Sequence, residues 1–99
     1  MELTYKTKLK KAIRDLCQYS PSQCQILDLL IDVAVKNTIH INAKYVEDQI
    51  NIKKSTTYFA LNLFLKDGII ERTSQAKVFA FCPTKLEYIL KVYEAKNHD

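Results

Sequence analysis

One glycine and two prolines in 99 residues leave little flexible or turn-rich chain, so this sequence is not a disordered tail. With 47% apolar and 26% charged residues, the balance specifies one compact, mostly helical domain over residues 1–99. That length builds one modest core and is too short for a large enzyme with a deep substrate cleft. No apolar run approaches the roughly 20 residues a membrane span requires, and the opening MELTYKTKLKK is too charged and too periodic for a signal peptide. A cytosolic location without membrane attachment is expected. Cys17, Cys24 and Cys82 are odd in number and include no CxxC pair, which indicates neither a disulfide framework nor a zinc knuckle. They are expected as small buried residues, the other reading being a thiol sensor or a metal site with His40 or His98. A glycine-rich phosphate loop and His-Glu metal spacing are also missing. Asp28 and Asp32, four apart on the polar strip of one helix, read as a solvated strip rather than an acid/base pair. The expectation is a protein that is not an enzyme and uses no cofactor or metal.

The net charge of +4 is unevenly distributed. Residues 1–20 hold Lys6, Lys8, Lys10, Lys11 and Arg14 against Glu2 and Asp15, a net +3, and residues 53–77 carry another +3, whereas residues 21–52 are acidic by 2. Two basic patches on a small domain suggest a polyanionic partner.

Hydrophobic spacing organises the chain. Leu9, Ile13, Leu16 and Cys17 mark an amphipathic helix over 4–19. Ser20, Pro21 and Gln23 form an N-cap, a first-turn proline and a capping-box partner, opening a helix to about Asn37 that is apolar nearly all round and expected at the centre. Thr38–Ile41 is a short candidate strand, and Asn42 caps a helix over 43–50. The next helix opens near Lys53 to Ser55 and stops at Asp67-Gly68. Residues 69–72 and 77–82 read as strands of a hairpin turning at Thr73-Ser74-Gln75-Ala76. A last helix over 84–96 follows, with Leu86, Ile89, Leu90 and Tyr93 on one face.

Helix, tight turn, helix and hairpin over 42–82 is the order of a winged helix-turn-helix, giving an expected mainly α fold with a small β-hairpin wing. The stretch KKSTTYFALNLFLKDGIIER resembles the winged-helix pattern of a basic-Ser-Thr start, a leucine register, Asp-Gly and an Ile-Ile strand, as in MarR-like and ArsR-like regulators. On that resemblance Lys53, Lys54, Ser55, Thr56 and Tyr58 lie at the groove-entering end of a recognition helix, with Asn62 one turn on. Lysines there neutralise phosphates, while Ser55, Thr56 and Asn62 suit base edges. Arg72 and Lys77 flank the hairpin tip as wing contacts. The bland reading makes Ser55-Thr56 only an N-cap and the lysines only solvated.

At about 100° per residue, Thr57, Ala60, Leu61, Phe64 and Leu65 form the core face of this helix, and Phe59 and Leu63 stand on the far side. An exposed apolar pair is expected at a dimer interface, unless a turn of the N-terminal helix covers it. Lys54, Thr56, Tyr58, Asn62, Phe64 and Gly68 also form a run similar to that of the TubR centromere-binding proteins of plasmid and phage partition systems, although Ser55 stands where that run has proline. This resemblance implies a homodimer whose paired recognition helices enter one major groove of double-stranded DNA. It further implies cooperative assembly on repeated sites and coupling to a tubulin-like GTPase. The alternative is a MarR- or ArsR-like transcriptional repressor.

Overall fold

The computed structural model describes residues 3–96 of the chain. Within them, helices and strands follow in the order α1 (Leu3–Leu16), α2 (Pro21–Val33), β1 (Thr38–His40), α3 (Ala43–Ile50), α4 (Lys54–Lys66), β2 (Ile70–Arg72), β3 (Val78–Phe81) and α5 (Pro83–Lys96). The fold is mainly helical with one small antiparallel sheet in the order β1-β3-β2.

α1 stops at Leu16, three residues before the expected Tyr19. Ser20 must be extended (φ −66°, ψ 161°), both as the N-cap of α2 and as the residue before Pro21, so the chain leaves the helix early to reach that conformation. The capping box forms as expected: Gln23 N–H donates to the Ser20 hydroxyl at 3.2 Å, and Ser20 N–H donates to the Gln23 side chain at 2.9 Å. Ser20→Ala removes one of these bonds and should cost about 1 kcal/mol, read as a lowered urea midpoint at unchanged slope.

α2 ends at Val33 rather than about Asn37. Lys36 (φ 50°) and Asn37 (φ 68°) both take left-handed backbone and form a two-residue turn, with Val35 and Thr38 exchanging N–H···O bonds of 2.9 Å. Two consecutive positive φ values match the right-handed twist of a hairpin and are incompatible with a helix. Val35, expected on the buried helix, is accordingly 68% exposed. The rest of α2 is central as expected, with Ile26, Leu27, Leu30 and Ile31 buried and contacts to α1, α3, α4 and β1. α5 packs mainly on α1 instead.

Asn42 caps α3 by accepting Tyr45 N–H at 2.8 Å, and Asn51 (φ 54°) ends that helix in the left-handed region. Only Asn51, Ile52 and Lys53 separate α3 from α4, and Ile52 is buried in the turn. α4 closes at Asp67 and Gly68: Ile69 N–H reaches Phe64 O at 3.0 Å and Gly68 N–H reaches Leu65 O at 3.2 Å. This is the paired bonding of a Schellman cap, which requires the positive φ that Gly68 supplies (78°).

The strands are shorter than expected. Ile69 is held by the α4 cap, and Lys77 (φ 64°) belongs to the turn. Arg72 pairs with Phe79 across β2–β3, and Ile39 pairs with Phe79 across β1–β3. Thr38–His40 is therefore the third strand of the sheet, lying beside β3 on the side away from β2.

Candidate nucleic-acid interface

Side-chain contacts distinguish the two basic patches. On α1, Lys10 pairs with Asp32 at 2.7 Å, Arg14 with Asp28 and Lys8 with Glu94, while Lys6 donates to the Asp32 carbonyl at 3.2 Å. Asp28 and Asp32 thus hold α1 against α2 and are not a merely solvated strip. Four of the five cations that made the N-terminal patch look like a polyanion site are engaged within the molecule. Lys53, Lys54, Arg72 and Lys77 are exposed and have no ion-pair partner among the described residues.

Lys53 is the N-cap of α4, extended (φ −61°, ψ 149°) and with no side-chain cap bond. Its carbonyl accepts both the N–H (3.0 Å) and the hydroxyl (3.2 Å) of Thr57, a fully buried residue, which fixes the start of the helix against the core. No side chain caps the first N–H groups of α4, an arrangement that favours an anion. Ser55 and Thr56 lie inside the first turn, exposed, with no side-chain hydrogen bond among the described residues. Neither is the cap that the bland reading made them.

Tyr58, Leu61, Asn62 and Leu65 of α4 face Arg72, Lys77 and Phe79 of the hairpin across a cleft of ≈ 260 Å³ that reaches Ile41, Asn42 and Ala43. A second cleft of ≈ 380 Å³ shares Asn42, Ala43, Tyr58 and Lys77 and adds Lys44, Glu47 and Lys54, so the two form one trough. The fold therefore brings Lys54, Tyr58, Asn62, Arg72 and Lys77 together, while Lys53, Ser55 and Thr56 lie outside the trough. Lys54 Nζ lies 5.9 Å from the centre of the Tyr58 ring, and Arg72 Cζ lies 5.8 Å from that of Phe79, which holds both cations near the trough. Lys44 was not anticipated. Its position in the first turn behind the Asn42 cap was readable, but its approach to the hairpin was not.

The core face of α4 is as expected for Thr57, Ala60, Leu61 and Phe64, all buried, with Leu65 half-buried against them. Phe59 is 66% exposed, so α1 does not cover it. Leu63, expected beside it as an exposed residue, is half-buried.

Behind α4, the Tyr19 ring meets Phe64 edge-on at 5.1 Å, and its hydroxyl donates to Asp67 at 2.7 Å. Burial, and then the bond to Asp67, push the Tyr19 phenol well above its ordinary value of 10.0. The folded state therefore favours the protonated ring. Stability from this group is complete below pH 10 and is lost as pH rises above it, where the unfolded chain ionises and the folded one does not. Tyr19→Phe should flatten that alkaline decline in urea midpoints measured from pH 8 to 11.

The three cysteines are free and half-buried, rather than fully buried as expected. Burial raises the Cys17 and Cys24 thiols above their ordinary values, which lowers their thiolate content. His40 is exposed on β1, and His98 lies outside the described residues. No group of three or more His, Cys, Asp or Glu among the described residues is placed to hold a metal ion. No helix among them is long and apolar enough to cross a membrane. Comparison with known protein families, with curated proteins and with solved structures gives no match for this chain.

Proposed function

We propose that this chain is a winged helix-turn-helix protein that binds double-stranded DNA as a homodimer. α3 and α4 act as the helix-turn-helix and β2–β3 as the wing. The reading rests on one observation: four cations without ion-pair partners among the described residues, Lys53, Lys54, Arg72 and Lys77, gather around the start of α4, which has no side-chain cap, and the adjacent hairpin. Lys53 and Lys54 contact phosphates as the first turn of α4 enters the major groove, and Ser55, Thr56, Tyr58 and Asn62 meet base edges or sugars. Arg72 and Lys77 take the flanking backbone. Phe59, with Leu63 behind it, packs against its copy in a second subunit and sets the two groove-entering ends close together. The role that fits paired recognition helices is cooperative coating of repeated, centromere-like sites in the partition of a plasmid or phage, with a tubulin-like GTPase as protein partner in the cytoplasm and no catalysis.

Lys54→Ala tests the contact. It should weaken binding on every duplex sequence and reduce the salt dependence by about one ion per protomer. An unchanged slope removes Lys54 from the interface. Footprinting on the DNA upstream of the gene tests the role. Protection spreading cooperatively over short repeats is expected, whereas protection of a single palindrome assigns the protein to transcriptional repression of the MarR or ArsR kind.

A further inference from the structure

We infer that the trough between α4 and the β2–β3 hairpin binds a small organic anion with a planar apolar body, of the nucleoside monophosphate class. Duplex DNA accounts for cations on this face but not for the wall behind them. Ile41, Leu61, Leu65 and Phe79 line one end of the trough, and Tyr58 stands beside them 46% exposed. A stiff duplex with paired bases presents phosphates and groove edges, and has no planar apolar group to place between a tyrosine and an aliphatic wall. A free base does: it has two faces to stack and an edge that the unengaged Asn62 amide can pair with.

The other end supplies the anion partner. Lys44 from α3, Lys54 from α4 and Lys77 from the hairpin converge there, with Glu47 as the acidic residue in the lining. None of these lysines has an ion-pair partner among the described residues. The larger part of the trough, ≈ 380 Å³, falls within the roughly 300–1,000 Å³ of small-molecule sites. Because Lys54, Arg72 and Lys77 are also the proposed phosphate contacts, a bound nucleotide excludes the duplex. This regulatory consequence rests on the proposed DNA reading, but the binding does not.

Titration of the full ¹⁵N-labelled chain with adenosine monophosphate, and separately with inorganic phosphate, tests the site. Saturable shifts centred on the amides of Tyr58, Asn62 and Lys77 are expected, with the nucleotide binding about tenfold or more tighter than phosphate because the base stacks. Tyr58→Ala, a change at an exposed position, should remove that advantage, so that the variant binds nucleotide no more tightly than it binds phosphate. Equal affinity for nucleotide and phosphate, or shifts lying off the trough, would overturn the proposal. A protein that binds duplex but not the nucleotide overturns this inference alone. One that binds the nucleotide at the trough but no duplex supports the site and overturns the DNA reading.

Discussion

Phe59→Glu should convert the protein to a monomer and abolish cooperative DNA binding while leaving the fold intact. The side chain is 66% exposed on a single subunit, so its replacement should cost the fold of that subunit no more than about 0.5 kcal/mol. In the proposed dimer the same position is desolvated against its symmetry mate. Two carboxylates there would face each other without partners, at a cost of several kcal/mol and a rise in the dimer dissociation constant on the order of a hundredfold or more. Light scattering over a concentration series reads the first effect, and the Hill slope on a multi-site duplex reads the second. A variant that stays dimeric with an ordinary melting curve places the interface elsewhere. Leu63→Glu should act more weakly, because that side chain is already half-buried within one subunit.

The largest stability loss should come from Phe64→Ala. Phe64 is fully buried and meets Tyr19 edge-on, and its carbonyl accepts Ile69 N–H in the α4 cap. One ring thereby joins α4 to the α1–α2 link. Removing it costs about 3–5 kcal/mol through lost burial and the cavity left behind. Against a total of about 5–15 kcal/mol for a domain, this takes a large share of the stability, and the thermal midpoint should fall by about 12 °C or more at about 4–8 °C per kcal/mol. Phe64→Leu keeps most of the volume and should lose far less. An alanine variant losing under about 1 kcal/mol in urea unfolding would show that the ring does not hold α4 in place.

Local chemistry was legible in the sequence where one residue type answers one backbone need. Ser20, Pro21 and Gln23 specify a helix start, Asn42 another, and Asp67-Gly68 a stop, and the structure places all three as read. The exposure of Phe59 was legible because 100° spacing fixes a direction that no local contact overrides. What the sequence hid was mostly contact between distant segments. The ion pairs that engage the α1 cations join residues 14 to 86 positions apart, so counting charges by segment treated an internal lattice as a polyanion site. The pairing of β1 with β3 and the approach of Lys44 to the hairpin are hidden for the same reason. The turn at Lys36-Asn37 is different: it is local, but lysine at positive φ gives no signal comparable to glycine, and the preceding apolar run reads as helix.

The most direct test of the central claim is a duplex-binding titration across a range of salt concentrations. Lys53, Lys54, Arg72 and Lys77 on each of two subunits predict an affinity falling with a log–log slope of about −7, on specific and nonspecific sequences alike. Specific repeats should bind more tightly at every salt concentration. Absence of duplex binding at low salt, or affinity insensitive to salt, would contradict the assignment of this face to nucleic acid.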